Sequence, residues 1–363
     1  MRIGIDARLF GLKHRGLGRY VQNLVEGLVE YDRQNDYVIF LTTENFDSFK
    51  TANPKVQKVL LNARWYSLKE QFVVPYILNK YRLDLVHFPH FNAPLFYRKK
   101  FMVTIHDLII DHFPDSRATT LPLFLYKFKL LFYRLIVKHA VSRADKMIVP
   151  SGYVKQDLIN LYHPKTEKIQ VIHEGYFINQ SNELADLKKF NLTKPYLIYV
   201  GAAYPHKNLE RLIEAFSRLN SNDKYQLVLV GRIDYFYQKL IKQVKDRNVI
   251  FTGQVSDAEL KELYRQAKVC VVPSLYEGFG FPGLEAQANG TPVVSADTSC
   301  LPEILGDSVV YFSPTEENQL KEKVLKVLND QSLAENLIKK GYANILRFSL
   351  DKMIKQTFEL YQK

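Results

Sequence analysis

The 363-residue sequence has only two cysteines, Cys270 and Cys300, which are too few for a framework of disulfide bonds. Cys270 lies in the apolar run KVCVVPS, where a buried, reduced thiol is the expected state. The N-terminal sequence MRIGIDARLFGLKHRG lacks the apolar stretch of a secretory signal peptide. Together these features predict a protein of the reducing cytoplasm.

Long uncharged apolar runs are also missing. The most apolar stretch, 121–137, is interrupted by Lys127, Lys129 and Arg134, whereas a spanning helix needs about 20 largely uncharged residues. We therefore expect no transmembrane helix. With 47% hydrophobic and 24% charged residues, the composition is typical of a globular chain, and the length fits two domains of ordinary size.

Sequence motifs for metal and phosphate-loop chemistry are missing as well. There is no Asp-x-Asp, no cluster of Cys and His, no His-Glu-x-x-His and no P-loop. We therefore predict neither a metal site nor another bound cofactor.

Acidic residues are scarce in the first half of the chain, which carries most of the net charge of +12. Residues 1–180 hold 26 Lys and Arg against 16 Asp and Glu, an excess of 10, whereas residues 181–363 hold 24 against 22, an excess of 2. Such an excess suits nucleic acid, an anionic membrane or a phosphorylated substrate. Because the basic residues are scattered and no helix-turn-helix or aromatic-interleaved motif accompanies them, we expect no nucleic-acid partner.

The segment 121–143 is predicted to form a long helix with two distinct faces. Phe124, Phe128, Leu131 and Leu135 form an apolar face, while Lys127, Arg134 and Lys138 recur on another. A basic amphipathic helix is typical of docking on an anionic membrane surface. The alternative is that the apolar face belongs to the core and that the basic side chains are merely solvated.

Short apolar, β-branched runs alternate with helical patterns along the whole chain. The predicted strands are RIGIDA (2–7), YVIFLT (37–42), KVLLNA (58–63), LDLVHFP (83–89), FMVTIHD (101–107), DKMIVPS (145–151), IQVIHEG (169–175), YLIYVG (196–201), QLVLVG (226–231), NVIFTG (248–253), KVCVVPS (268–274), PVVSAD (292–297) and VVYFSP (309–314). Near-continuous apolar strands separated by helices indicate parallel sheets covered on both faces.

Thirteen strands are too many for one sheet, so we predict an α/β chain of two doubly wound, Rossmann-like domains. These domains span 1–180 and 190–348, with the boundary in the polar stretch 179–194, and the last helix, about 350–363, could return to the first domain. Ligands of such sheets bind beyond the carboxyl ends of the strands.

The most informative motif is Glu277-Gly-Phe-Gly-Phe-Pro-Gly-Leu-Glu285, directly after the strand KVCVVPS. Gly278 and Gly280 allow the backbone to approach a ligand, and Pro282 suits the start of a helix. A helix N-terminus binds anions, while the two carboxylates suit sugar hydroxyls on either side of a diphosphate. A simple helix entry would not require Glu277 or both glycines.

Further candidates follow other predicted strands. Lys207, in GAAYPHKN, stands at the mouth of a helix that Asn208 is predicted to cap, and it can reach a phosphate, although it could also be a solvated turn residue. The loop Gly16-Leu-Gly18-Arg is a weak phosphate-loop signal and could be a plain connection. His106 ends FMVTIHD and could bind a sugar or assist proton transfer, or be structural; His87 and His90 are acceptor-side candidates with the same alternative.

These motifs together resemble family 4 retaining glycosyltransferases of the GT-B fold. The resemblance rests on the Glu-x7-Glu motif, the HKN segment, the HD after a strand and GLGRY, and extends over nearly the whole chain. It implies two facing domains with the active site in the cleft between them. The N-terminal pattern is most similar to bacterial mannosyl- and rhamnosyl-transferring members of surface-polysaccharide pathways.

The resemblance implies a nucleotide-sugar donor, GDP- or UDP-linked, and a glycan or lipid-linked acceptor. Its implied site consists of Glu285 on the ribose, Glu277, Phe279, Gly280 and Phe281 at the transferred sugar, Lys207 with Gly16 and Gly18 at the diphosphate, His106 near the reacting centre and Val255 near the base. Ala202 stands where many members carry an arginine, so His206 or Arg232 is expected to supply a second cation. The alternatives are a catalytically inactive sugar-nucleotide-binding subunit and a GT-B sugar-nucleotide epimerase.

Overall fold

The computed structural model describes residues 1–11, 15–114, 119, 121–176, 185–316 and 318–363, with the backbone alone at Arg15. The described chain divides into two compact units. One contains Met1–Gly175 and Phe348–Lys363, and the other contains Tyr176–Arg347. The predicted boundary at 179–194 lies partly outside the described residues.

Thirteen β-strands occur in the described residues. Those of the first unit are β1 (Arg2–Asp6), β2 (Asp36–Leu41), β3 (Val56–Leu60), β4 (Leu85–Phe88), β5 (Phe101–Thr104), β6 (Lys146–Val149) and β7 (Ile169–Val171). Those of the second are β8 (Tyr196–Val200), β9 (Gln226–Val230), β10 (Val249–Gly253), β11 (Val269–Val272), β12 (Val293–Ala296) and β13 (Val310–Phe312). Each of the predicted strand runs overlaps one of them, and β2 and β3 begin before the runs that were predicted for them.

Helices connect these strands. They are α1 (Arg15–Tyr31), α2 (Leu68–Lys80), α3 (Ile109–His112), α4 (Leu123–Arg143), α5 (Gly152–Tyr162), α6 (Leu209–Leu219), α7 (Tyr235–Gln243), α8 (Asp257–Gln266), α9 (Phe281–Ala288), α10 (Leu301–Leu305), α11 (Gln319–Asn329), α12 (Gln331–Ile345) and α13 (Leu350–Tyr361). No helix among the described residues is both long enough and apolar enough to span a bilayer.

Each unit is built on its own parallel sheet. The strand order is β3-β2-β1-β4-β5-β6-β7 in the first and β10-β9-β8-β11-β12-β13 in the second, and adjacent strands run parallel. The predicted pair of Rossmann-like α/β domains is thus confirmed. In both sheets the chain reverses its direction of winding once, between β1 and β4 and between β8 and β11, and such switch points form ligand-binding crevices.

The first sheet is covered on both faces. Along β2, Val38 and Phe40 join a core that includes residues of α2, α4 and α5, whereas Tyr37, Ile39 and Leu41 join a core with α1 and α13. This alternation follows from the two-residue period of a strand. Because α13 lies in the second core, the C-terminal helix is part of the first unit.

Three local predictions were wrong. Gly16 and Gly18 do not form a loop, since α1 already begins at Arg15. Asn208 stands at the start of α6 but adopts a left-handed conformation and makes no side-chain cap. The strand FMVTIHD ends at Thr104, so His106 lies in the loop beyond the strand.

Candidate functional site

The switch point of the second unit brings together the loops that follow β8 and β11. The backbone N–H of Leu275 donates to the His206 carbonyl at 2.7 Å. The Asn208 side-chain amide donates to the Pro273 carbonyl at 3.2 Å. Asn208 therefore joins two loops instead of capping a helix, and the two loops hold their side chains at one edge of the sheet.

Lys207 and Glu277 form a buried ion pair at this edge. The Lys207 ammonium donates to Glu277 Oε1 at 2.6 Å, and the two side chains are only 17% and 11% exposed. Ser274 Oγ donates to the same oxygen at 2.7 Å. Burial opposes ionisation of Glu277, but Lys207 and Ser274 outweigh it and hold its pKa below the ordinary value. The Lys207 ammonium and the Glu277 carboxylate are therefore held in contact at this edge of the sheet.

The loop between Glu277 and α9 requires glycine at a defined position. Gly280 has a φ of +89°, and a Cβ there would lie 2.7 Å from the Leu301 side chain. Gly280 is also the N-cap of α9 and has no side chain to satisfy the first N–H groups of the helix. The helix therefore presents backbone donors and its positive dipole end beside Glu277, which suits an anion. Pro282 occupies the second helical position, one residue later than predicted.

The other residues of the glycine-rich motif flank this helix entry. Phe279 is buried and its ring makes an edge contact with Phe281, which is half-buried. Glu285 lies in the second turn of α9 and accepts a hydrogen bond from the buried Tyr264 hydroxyl at 3.0 Å. Tyr264 thus holds the Glu285 carboxylate on α9, whereas Glu277 lies in the loop before this helix.

The loops after β9 and β10 form the neighbouring part of the same edge. The Gly231 N–H donates to the Gly253 carbonyl at 3.2 Å, and a Cβ at Gly231 would lie 2.1 Å from the Gly201 carbonyl oxygen. Arg232 follows Gly231 and is exposed, while Val255, two residues beyond β10, is half-buried. The sequence-predicted donor-binding residues of this unit therefore all lie in loops or a helix that follow strands at their carboxyl ends.

His206 is not suited to the role of a second cation. Its ring is buried and stacks on Tyr204 with ring centroids 5.9 Å apart. Burial, together with the adjacent Lys207 charge, lowers the pKa of His206 to about 4. The ring is therefore neutral near pH 7, and Arg232 is the better candidate.

His106 of the first unit is also held by two partners. Its Nδ1 lies 2.6 Å from Glu174 Oε1, and its Nε2 lies 3.0 Å from the Pro89 carbonyl oxygen. Because a carbonyl only accepts, Nε2 carries a proton. Burial opposes the charged ring, but Glu174 outweighs it and raises the pKa of His106. The arrangement therefore favours the protonated ring, and both ring nitrogens are already engaged.

The first turn of α1 lies at the same edge of the sheet as His106. The ring of Tyr20, one turn into α1, makes an edge contact with His106 at 4.6 Å. Gly16 is exposed and Gly18 is buried. Any contribution of Gly16 and Gly18 to phosphate binding must therefore come from a helix N-terminus and not from a flexible loop.

Sequence reasoning missed Glu174, Arg8 and its two carboxylate partners. Arg8 is fully buried and contacts Asp6 and Glu70, each at 2.7 Å. The available signal for Glu174 was an acidic residue near the end of IQVIHEG, just beyond β7, because β5 and β7 end at the same edge of the sheet. His87 is a core residue, bonded to Tyr361 at 2.6 Å and to Thr104 at 2.9 Å.

Comparison with known proteins covers both units. Residues 14–179 match the family described as Glycosyltransferase Family 4, and residues 181–344 match Glycosyl transferases group 1. An O-antigen chain mannosyltransferase of Salmonella typhimurium is 31% identical over 268 residues, which are 72% of this chain and 70% of the relative. O-antigen chain mannosyltransferase B of Escherichia coli is 26% identical over 96% of each chain. Sucrose-phosphate synthase of Thermosynechococcus elongatus has a similar fold, with a TM-score of 0.79 and 21% identity over 100% of this chain and 98% of that one.

Proposed function

Because this chain is a glycosyltransferase that belongs to family 4, we propose that it transfers a mannosyl group, with retention, from a GDP- or UDP-linked sugar. The acceptor is a glycan or a lipid-linked glycan of a cell-surface polysaccharide. The choice of mannose and of this pathway rests on the two O-antigen mannosyltransferases that the chain resembles. The observation that carries the proposal is the buried Lys207–Glu277 pair beside the N-terminus of α9.

The charge of each side chain in the site determines which part of the donor it can bind. Lys207 uses one of its three donors on Glu277, so it can also donate to a diphosphate. The N–H groups of α9 and Arg232 add positive charge for the same group. Glu277 and Glu285 are acceptors, and we assign them to sugar hydroxyls, Glu277 to the transferred sugar and Glu285 to the ribose.

The remaining assignments follow the family pattern. Phe279, Gly280 and Phe281 border the transferred sugar, Val255 borders the base, and His106 contacts the donor sugar near the reacting centre. A protonated His106 would stabilise the negative charge that develops on the leaving diphosphate. In a retaining reaction of this type, that diphosphate assists removal of the proton from the acceptor hydroxyl.

We further propose that the transfer requires no metal ion. Lys207, Arg232 and the dipole of α9 would stabilise the leaving diphosphate, so these fixed positive charges replace a divalent cation. Activity is therefore expected to persist in excess EDTA after dialysis. Loss of activity that Mg²⁺ or Mn²⁺ restores would contradict this assignment.

Donor turnover tests the central proposal. Calorimetry with GDP, UDP and their mannose and glucose conjugates should identify one nucleotide, and the matching sugar conjugate should be turned over slowly in water. Glu277→Gln should lower this turnover by roughly 10- to 150-fold, the factor that corresponds to about 1.5–3 kcal/mol for a hydrogen bond to a charged group. The control Glu214→Gln changes an exposed carboxylate of α6 and should have no effect. Binding without turnover would indicate an inactive sugar-nucleotide-binding subunit.

We also propose that the first unit docks on the cytoplasmic face of an anionic membrane, where a lipid-linked acceptor would be located. The support comes from α4, whose core-facing side is formed by Tyr133, Ile136 and Val137. The predicted apolar face lies on the other side. Five of its exposed apolar residues are Leu123, Phe124, Phe128, Leu131 and Leu135.

The composition of this outer surface favours a membrane. Phe124 and Phe128 are 65% and 69% exposed, and exposed apolar patches mark interaction surfaces. Lys127, Lys129, Arg134 and Lys138 are exposed on the same helix, and each basic residue near an anionic leaflet contributes about 1 kcal/mol to binding. The charge excess of 10 in residues 1–180 adds to this attraction.

Co-sedimentation with liposomes tests the membrane proposal. Binding should be stronger to vesicles with anionic lipid than to neutral vesicles, should weaken at high salt, and should fall in Phe124→Ser/Phe128→Ser. The control Leu346→Ser removes an apolar side chain that is 75% exposed in the second unit and should bind as the wild type does. Equal binding to both lipids, or self-association through α4 in gel filtration, would contradict the proposal.

A further inference from the structure

A small cavity lies at the switch point of the first sheet. It lies at the ends of β1 and β4 and is lined by Asp6, Trp65, Pro89, His90 and Asn92, among others. Its volume is about 10 Å³, which is enough to hold one water molecule or one hydroxyl group. The switch point of a doubly wound sheet is a common position for ligands.

Two residues that line this cavity each have a buried polar atom that lacks a hydrogen-bond partner among the residues that the structure describes. These atoms are His90 Nδ1 and Asn92 Oδ1. Buried polar groups of this kind normally have partners. Burial, together with the positive charges of His106 and Arg8, lowers the pKa of His90 to about 3, so its ring is neutral and can donate or accept at Nδ1.

The orientation of Asn92 is fixed by a buried ionic cluster. Its side-chain amide donates to Glu70 Oε1 at 2.6 Å, and Glu70 is paired with Arg8, which is itself paired with Asp6. Because the amide nitrogen is engaged, the carbonyl oxygen of Asn92 is left as an acceptor. The cavity therefore offers a fixed acceptor beside a neutral imidazole and a carboxylate, which is a set of groups that recognises a hydroxyl and repels a phosphate.

The cavity also adjoins the candidate catalytic histidine. Pro89, which lines it, accepts the hydrogen bond from His106 Nε2 at 3.0 Å. Trp65 adds an aromatic surface that is half-buried, and the apolar face of a sugar ring packs well on such a surface. We propose that this cavity is a subsite that recognises one hydroxyl of the acceptor sugar, which Asn92 and His90 bind while Trp65 supports the ring.

This inference rests on the proposed glycosyl transfer but can fail independently of it. Trp65 is the only tryptophan in the chain, so its fluorescence reports directly on the cavity. Titration of the full-length protein with methyl glycosides of mannose, glucose, galactose, rhamnose and N-acetylglucosamine should give a saturable change for at least one sugar. His90→Leu and Asn92→Leu should each weaken that binding about 5- to 10-fold, as expected for one lost hydrogen bond.

A matched control and a donor measurement distinguish the outcomes. Tyr97→Phe removes a different buried polar group, a hydroxyl that has no hydrogen-bond partner in the described part of the chain. Tyr97 does not line the cavity, so sugar binding should be unchanged. Nucleotide binding should be unchanged in all three variants. If no glycoside gives a saturable signal, or if both Leu variants bind as the wild type does, the cavity holds only a water molecule and the subsite is refuted. If the nucleotide alone changes the Trp65 signal and the glycosides do not, the cavity belongs to the donor.

Discussion

The buried pair of Lys207 and Glu277 gives a quantitative prediction about stability. Glu277→Gln removes the carboxylate that accepts from Lys207 and Ser274, and it leaves an ammonium that is 17% exposed without its counter-ion. Breaking a buried pair in this way costs about 3–5 kcal/mol, and the residual exposure of Lys207 favours the lower end, about 3 kcal/mol. Lys207→Met should cost a similar amount at pH 7, and the double variant should cost less than the sum by about 2 kcal/mol.

Hydrogen exchange of the β8 and β11 amides, resolved by mass spectrometry, is the appropriate assay, because a chain of two units need not unfold in one step. The exposed pair of Arg218 and Glu214 on α6, which is 2.7 Å apart, provides a control cycle with an expected coupling of about 0.3–0.5 kcal/mol. A Lys207–Glu277 coupling no larger than this control value would refute the reasoning.

The same pair predicts opposite pH dependences in the wild type and in Lys207→Met. In the wild type the pKa of Glu277 is lowered, so its contribution to stability is present above the unfolded pKa of about 4.3 and is lost as the pH falls through the folded pKa. Without Lys207, burial remains to raise that pKa, and stability is then lost as the pH rises through it. The variant should therefore fall further below the wild type at pH 8 than at pH 5, whereas a difference independent of pH would contradict this account.

Three other substitutions have expected outcomes. Gly231→Ala would place a Cβ 2.1 Å from a backbone oxygen, so thermal unfolding should show a loss of about 1–3 kcal/mol; an unchanged midpoint would mean that the loop shifts freely. Glu174→Gln removes the main cause of the raised pKa of His106, so the alkaline limit of donor turnover should move to lower pH. An unchanged pH profile of turnover would exclude a protonated His106 from the reaction. Tyr264→Phe removes the hydrogen bond that the Tyr264 hydroxyl donates to the Glu285 carboxylate, so calorimetry should show nucleotide binding weakened by about 5- to 10-fold. Unchanged binding would mean that Glu285 does not contact the ribose.

The strands could be predicted because parallel strands are buried on both faces. Runs such as QLVLV and VCVV are fully buried, so their composition alone identifies them. Boundaries were harder to predict, because the apolar residues Ile105 and Ile172 continue the runs FMVT and IQV beyond the ends of β5 and β7. Gly16 and Gly18 were mistaken for a loop since glycine disfavours helices, yet the first turn of a helix tolerates it.

Contacts between distant residues could not be predicted. Lys207 and Glu277 are 70 residues apart, and His106 and Glu174 are 68 apart, so only the strand order brings them together. The exposed side of α4 was equally ambiguous, because the helix is apolar on both sides. Tyr126 and Tyr133 face the core while Phe124 and Phe128 face outward, and sequence periodicity does not distinguish the two sides.

The two buried ion pairs lie at the same kind of position, in the loops that follow parallel strands, which composition alone does not reveal. Lys207–Glu277 joins the loops after the adjacent strands β8 and β11, and His106–Glu174 joins the loops after β5 and β7. A buried pair is weak evidence for stability, because desolvation offsets the attraction, so stability alone does not account for two such pairs at the carboxyl ends of parallel strands. In the proposed reaction, each pair instead keeps a basic side chain desolvated and fixed before any ligand arrives. Stabilisation of a leaving diphosphate requires such preorganised charge, because the protein then need not reorganise during the reaction.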